Sequence, residues 1–394
     1  MNPATLSRRI LSIDLLRGLV MVIMALDHVR DFTHIHAFDD DPTNLATTTP
    51  VLFFTRFITH FCAPTFVFLS GTSIFLQSQR KTKKELSYFL FTRGLWLVLF
   101  EIVFNNLFWT FNPFYNSIAL QVIWVIGISM LVMSAMIYLP VRVIFMIGLL
   151  IVCGHNYLDR FNYTDASKAP LLWSILHQPS DRMIAPEHSI FFFYPIIPWP
   201  AVMMLGYCLG TWFVKDFDVA KRKKNLLLTG TMVVLVFLIL RFVNVYGDAA
   251  LWSAQPRGSV YTVLSFFNVT KYPPSLLYLC VTIGPALIVL ALTENWKGAV
   301  ADFFIVFGRV PMFYYTIHVL LIHTIGVILF FISGNGMQQI VDSNVPFLFR
   351  PMHWGYPLWV VYLLWIIVIA ILYPICKRYD RYKSSNKKWW LSYM

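Results

Sequence analysis

Charged residues are scarce in this sequence. Only 13% of the 394 residues are Asp, Glu, Lys or Arg, whereas 58% are hydrophobic. A soluble domain of this composition would expose too much apolar surface, so the composition predicts a polytopic membrane protein. Acidic residues are fewer than basic ones: 19 Asp and Glu against 31 Lys and Arg give a net charge of +12. The cations form short clusters between apolar runs, which is typical of loops that flank membrane spans and argues against a nucleic-acid partner.

Cysteine is rare as well, and it has no metal-binding or disulfide pattern. No CxxC pair occurs, so neither a disulfide framework nor a metal site is predicted from the five scattered residues Cys62, Cys153, Cys208, Cys280 and Cys376. The motifs GxxxxGK[ST], GxGxxG after a strand, HExxH and GxSxG are also missing. Nucleotide hydrolysis, dinucleotide chemistry, zinc proteolysis and hydrolysis by a nucleophile elbow therefore lack support.

The first apolar run has no small-residue cleavage site, so we expect it to be a membrane anchor.

Long apolar runs predict about ten transmembrane helices in one all-α domain, residues 1–394, with no separate soluble domain. The runs lie near 11–32, 51–77, 87–111, 118–139, 141–157, 190–214, 225–245, 274–293, 302–332 and 355–376. With ten spans, all basic clusters fall on one side, which the positive-inside rule makes the cytoplasm, and both termini lie there too. These clusters are Arg8 with Arg9, 80–84, 221–224 and the tail 377–388.

Three prolines interrupt the start of the sixth run, at Pro195, Pro198 and Pro200. Proline breaks the helical hydrogen-bond ladder. The spacing therefore predicts either an irregular segment that lines a cavity or a kinked entry at the membrane interface.

The first run carries charges at membrane depth, and such charges usually mark a site or a pathway. Arg17 and His28 are close to three helical turns apart, so they share one face at a separation of roughly 16 Å. A neutral imidazole can act as a general base near pH 7, which is the role predicted for His28. Asp31 lies three residues on and could orient this ring or stabilise its cation, whereas the neighbouring catalytic candidate Asp27 points elsewhere.

Other polar residues give weaker signals. Arg17 could hold phosphate groups at the cytoplasmic end of the first helix, or it could pair with Asp14 and fix helix packing. His60 is either a second proton carrier or a structural residue. Further candidates are Asp14 and Arg309 for cofactor contacts and, for substrate binding, His34, His36, Arg56, Tyr315 and His318.

Two segments resemble a known family. Residues 9–28 (RILSIDLLRGLVMVIMALDH) and 63–73 (APTFVFLSGTS) resemble the heparan-α-glucosaminide N-acetyltransferase catalytic-domain family, within the transmembrane acyltransferase superfamily. The Arg17 to His28 spacing is similar to the arginine–histidine motif of that superfamily, and the stretch from Arg309 to His318 resembles its late-helix motif. The chain departs from the enzyme that gives the family its name, which has Asn at the position of His28 and Asp at the position of His60. The important histidine of that enzyme lies further along, in the region that here contains His34 and His36.

The resemblance implies an enzyme of ten or eleven helices that takes an acyl group from cytosolic acyl-CoA, such as acetyl-CoA, and delivers it to an extracytoplasmic acceptor. In this interpretation Arg17 contacts the donor, His28 is the essential histidine, and the acceptor is a sugar or glycan. The alternative is a transporter in which buried His, Arg and Asp residues form a proton relay. We expect the protein to lie in the lipid bilayer of a bacterial inner membrane and to bind neither a metal nor a nucleic acid. Both a monomer and a homodimer are compatible with the sequence.

Overall fold

The computed structural model describes residues 10–386 and 388–393, so Arg8 and Arg9 of the first predicted basic cluster lie outside the described residues. Within this part of the chain the α-helices, numbered in chain order, are α1 Leu11–Thr33, α2 Pro50–Thr59, α3 Cys62–Ser78, α4 Lys83–Phe100, α5 Asn106–Thr110, α6 Val122–Met136, α7 Val141–Gly154, α8 Leu171–Leu176, α9 Trp199–Leu209, α10 Val219–Val243, α11 Ser259–Phe267, α12 Leu276–Leu292, α13 Ala299–Arg309, α14 Pro311–Ile332 and α15 Leu358–Ser385. A π-helix, Glu101–Asn105, joins α4 to α5.

The helical prediction is confirmed in the main, since every predicted run contains one of these helices. Of the described helices, six are long and apolar enough to cross a membrane: Pro50–Ser78, Lys83–Thr110, Val141–Phe161, Val219–Val243, Pro311–Ile332 and Leu358–Ser385. Two further apolar helices, α6 and α12, are shorter, and α1 has the length of a span but carries several charges. The count of ten spans and the cytoplasmic termini stay predictions.

Proline determines where two of the predicted runs divide. The run 302–332 was predicted as one span, but it forms α13 and α14, because Pro311 has no N–H to continue the ladder of α13 and starts a new helix instead. In the run 51–77, Pro64 leaves the carbonyl of His60 without its helical donor. The hydroxyl of Tyr278 donates to that carbonyl at 2.9 Å, so the break between α2 and α3 is satisfied by a neighbouring helix.

A small β-sheet corrects the all-α prediction. Its strands are β1 Ser117–Ala119, β2 Asp181–Ala185 and β3 His188–Phe191, in the order β1-β3-β2, with β1 parallel and β2 antiparallel to β3. Each strand is too short for a two-residue period to stand out from the sequence. Strand β3 also occupies the start of the predicted run 190–214. Prolines follow it, and α9 begins only at Trp199.

Helix α1 lies at the centre of the bundle. It packs against α2, α3, α12, α13, α14 and α15, and most of its residues are buried. The contact with α13 is the closest: an added Cβ on Gly18 would lie 1.8 Å from the carbonyl oxygen of Phe304, and one on Gly308 would lie 1.8 Å from that of Asp14. Small residues of this kind let two helix backbones meet in a membrane, where apolar burial alone does not drive association.

This contact yields a stability prediction. Gly18→Ala should lower the melting temperature of the detergent-solubilised protein, because overpacking costs about 1–3 kcal/mol even where side chains can adjust, and here the clash is with backbone. Gly154→Ala is the matched control, since an added Cβ there meets no atom within 4 Å. Equal melting temperatures for the two variants would contradict the proposed packing.

Candidate active site

A cavity of about 750 Å³ lies along α1 between Arg17 and Asp31. Seven residues of α1 line it, and five of them form a stripe with helical spacing: Arg17, Met21, Met24, His28 and Asp31. The other two are Asp27 and Arg30. Arg17 and His28 were predicted to share one helix face, and both contribute to this wall. We refer to the two halves of the cavity as the Arg17 end and the Asp31 end.

The Arg17 end is rich in cations. Arg17, Lys81, Arg93 and Lys383 line it, and the carboxylates that line the cavity, Asp27 and Asp31, belong to its other end. Arg17 donates hydrogen bonds to the carbonyl of Leu69 at 3.0 Å and to the hydroxyl of Ser73.

Arg17 also pairs with Asp14, the contact that was the alternative to a role in donor binding. Its guanidinium lies 3.7 Å from a carboxylate oxygen of Asp14. Both interpretations of Arg17 are therefore compatible with its position, since it pairs within α1 and still contributes to the cavity wall.

His28 contacts a second histidine from the far end of the chain. Its Nδ1 lies 2.7 Å from Nε2 of His318, while Nδ1 of His318 lies 3.1 Å from the carbonyl oxygen of Tyr314. A carbonyl can only accept, so Nδ1 of His318 carries a proton, and in the neutral ring Nε2 is the acceptor. His28 must then donate from Nδ1, which leaves its own Nε2 without a proton.

Aromatic side chains surround this histidine pair. The ring of Trp109 meets His28 edge-on with centroids 4.7 Å apart, and Tyr315 does so at 6.4 Å. The side-chain amide of Asn105, on the π-helix, lies 3.4 Å from the hydroxyl of Tyr315 and donates to Glu101 at 3.0 Å. Glu101 in turn accepts from the backbone N–H of Gln121 and of Trp124 at the start of α6, so it links the π-helix to α6.

The Asp31 end contains a compact cluster of opposite charges. Arg30 donates to Asp27 at 3.0 Å and to Asp31 at 2.7 Å, and Arg56 pairs with the other oxygen of Asp27. Asp31 was predicted to orient the ring of His28 or to stabilise its cation. Its side chain accepts a hydrogen bond from Arg30, and the group in hydrogen-bond contact with the ring is His318. Asp27 bridges two helices, because Arg56 lies on α2.

The irregular segment after β3 forms part of this cavity wall. Phe193 and Tyr194 line it, and they pack against Tyr272 with ring centroids 4.2 and 5.2 Å apart. Two residues just before these prolines thus line the cavity, which favours the interpretation as an irregular, cavity-lining segment.

Several predicted residues lie away from the cavity wall. The buried ring of His60 packs against Tyr278, and Arg309 pairs with Asp380 at 3.3 Å. His34 is buried at the end of α1; burial and the nearby charge of Arg30 lower its pKa to about 4, so it is neutral at pH 7. His36 is exposed and lies 2.6 Å from Asp39. Only Arg56 and Tyr315 of the predicted substrate contacts line the cavity directly, and His318 reaches it through His28.

Sequence reasoning missed some of the cavity residues. Arg93 lies inside the predicted run 87–111. The rule that a charge at membrane depth usually marks a site, which drew attention to Arg17, therefore applies to Arg93 as well. Lys81 and Lys383 were used only for membrane orientation. Lys271 lies in a predicted loop and has no signal in the sequence, because only the fold brings it to the cavity.

A comparison with known families places the chain. The family model for the catalytic region of heparan-alpha-glucosaminide N-acetyltransferase matches residues 9–242, more than half of the chain. The chain belongs to the heparan-alpha-glucosaminide N-acetyltransferase catalytic family. The resemblance of the first-helix segment is thereby confirmed, and the protein is a membrane acetyltransferase by family. No curated protein matches the chain.

The matched region of the acetyltransferase family contains only part of the site. Arg17, His28 and Arg56 fall within residues 9–242, whereas Lys271 and His318 lie beyond them. The side chains that meet at the cavity thus come from both the matched and the unmatched part of the chain.

The charge cluster gives a stability prediction. Asp27→Asn should destabilise the protein strongly, because it leaves Arg30 and Arg56 without their shared carboxylate, and breaking a buried ion pair costs about 3–5 kcal/mol. Asp165→Asn, which removes an exposed pair with Lys168, is the control and should change the melting temperature little. Similar losses in thermal unfolding experiments for both variants would contradict this view of the cluster.

Proposed function

We propose that this protein transfers an acetyl group from acetyl-CoA, bound at the Arg17 end, to a hydroxyl or amine of an extracytoplasmic sugar or glycan at the Asp31 end, with His28 as the general base. The observation that carries the proposal is the contact between His28 and His318, which fixes the unprotonated nitrogen of a ring on the cavity wall. One cavity links this ring to both ends, so donor and acceptor can approach it from opposite sides.

The cations of the Arg17 end support a phosphate-bearing donor. Arginine binds phosphate oxygens with two parallel N–H groups, and lysine adds a mobile point charge. Lys81 belongs to the basic cluster 80–84, which is predicted to be cytoplasmic, as is the tail that supplies Lys383. A donor made in the cytosol would meet these side chains first, and its thioester would extend along α1 towards His28.

The proposed reaction balances without a further reagent. Nε2 of His28 takes the proton from the acceptor hydroxyl or amine as that atom attacks the thioester carbonyl. The C–S bond breaks, the new C–O or C–N bond forms, and the proton on His28 passes to the leaving thiolate of CoA. His318 is a positioning residue in this scheme: it accepts from Nδ1 and so stabilises the imidazolium that forms, although it touches no reacting atom.

Replacing the proposed base gives the first functional prediction. His28→Gln should lower acetyl transfer about 10²- to 10⁴-fold, the range for loss of a general base. Membranes that contain the variant would be incubated with radiolabelled acetyl-CoA, and the label in the glycan fraction would be counted. His188→Gln is the control, since His188 lies on β3 and bonds only to a backbone carbonyl, and it should keep full activity. Full activity of His28→Gln would refute the assignment.

The same experiment distinguishes the enzyme from the transporter. Label that stays on intact acetyl-CoA with the purified wild-type protein, with none on glycan or protein, favours the transporter. Label retained on the wild-type protein but absent from His28→Gln indicates a covalent acetyl-histidine intermediate in place of direct transfer.

The donor end gives the second functional prediction. Arg17→Met should raise the Kd for acetyl-CoA about tenfold or more, because a hydrogen bond to a charged group contributes about 1.5–3 kcal/mol. The affinity for acetylpantetheine, a donor fragment without the CoA phosphates, should change much less. Lys297→Met, on an exposed loop, serves as the control in a binding assay with tritiated ligand. Equal weakening of both ligands would contradict a phosphate contact.

A further inference from the structure

The cation Lys271 has no place in the mechanism, although it lines the same cavity. It lies in the segment between α11 and α12 and is close enough to Asp27 and His28 to interact with them electrostatically. In the described part of the chain its ammonium has no hydrogen bond and no ion pair. Its one close partner is the ring of Tyr272, whose centroid is 5.0 Å from Nζ.

The charges around Lys271 are already paired. Arg30 and Arg56 share Asp27, and Arg30 also binds Asp31, so two guanidinium groups face two carboxylates. Of the charged side chains that line the cavity at the Asp31 end, Lys271 is therefore the one outside these ion pairs. An ammonium in a cavity of a membrane protein is costly to leave unpaired, and its contact with an aromatic ring offsets only part of that cost.

The walls next to Lys271 fit a ring-shaped ligand. Phe193, Tyr194 and Tyr272 present a continuous aromatic surface there, and the hydrocarbon faces of a sugar pack on such rings while its hydroxyls remain free for hydrogen bonds. The ligand that this end accommodates best is then a sugar with one negative charge.

We infer that Lys271 binds an anionic group, a carboxylate or a phosphate, on the acceptor sugar and thereby selects acidic acceptors over neutral ones. The inference rests on the proposed function for the acceptor role of the Asp31 end. A charge-assisted hydrogen bond from Nζ to the anion would hold the acceptor while a hydroxyl or amine of the sugar reaches His28.

The test measures binding rather than chemistry. The probes are three related sugars: glucose has no anionic group, glucuronate has a carboxylate, and glucose 1-phosphate has a phosphate. They are titrated into the purified full-length protein in detergent with saturating CoA, so that the cationic Arg17 end is filled, and the thermal unfolding temperature reports binding. The proteins are wild type, Lys271→Met, Lys271→Arg and the exposed-lysine control Lys297→Met.

The expected result is that at least one anionic probe binds wild type about tenfold more tightly than glucose. Lys271→Met should reduce this preference to about twofold or less, whereas Lys271→Arg and Lys297→Met should keep it. Whether glucuronate or glucose 1-phosphate binds better identifies the carboxylate or the phosphate as the natural group. Equal responses to all three probes, or an anion preference that Lys271→Met keeps, would overturn the inference.

A parallel assay separates failure of the inference from failure of the proposed function. Acetyl-CoA binding and transfer of its label are measured on the same preparations. Normal transfer by a protein whose probe binding ignores Lys271 overturns the inference alone. Lys271-dependent anion binding without any acetyl-CoA binding would overturn the proposed function and, with it, the acceptor role of this site.

Discussion

The structure depends on how the charges of α1 are accommodated inside a bundle of apolar helices. A charge at membrane depth must find a partner or face water. Asp27 finds two, because Arg30 and Arg56 bind its two oxygens, while Arg17 bonds to α3. These interactions hold α1, α2 and α3 together on one side of the cavity, while the glycine contact holds α13 on another. The positions of the site residues on α1 are therefore set by these ion pairs and hydrogen bonds together with the close helix packing.

Much of the fold could be predicted because membrane helices have a strong sequence signal. Length and hydropathy located each apolar run, and the prolines at 195, 198 and 200 indicated the irregular segment. The break at Pro311 was missed, since a run of 31 residues was taken as one helix. A proline lacks the N–H that continues the ladder, but it does not always end a membrane helix: α12 continues through Pro285 and α15 through Pro374. The short strands were missed because three to five residues are too few to establish a period.

The site could be predicted only where its residues lie on one helix. Arg17 and His28 share a face of α1, and helical geometry alone puts them on one wall. The partner of His28 could not be found in this way: Asp31 was the nearest candidate along the helix, but His318 is 290 residues away in sequence and only the packing of α14 brings it close. Lys271 was beyond reach for the same reason, because nothing in a loop sequence states which cavity it will face.

The separation of the two histidines has a consequence for biosynthesis. The chain is made and inserted into the membrane from its N-terminus, so the helix that carries His28 enters the bilayer long before α14, which carries His318. Until then, nothing fixes which ring nitrogen of His28 bears the proton. Under the proposed mechanism, a partly made chain would therefore contain Arg17 but no His28 ring with a fixed unprotonated nitrogen, and acetyl transfer would begin only once α14 is in place.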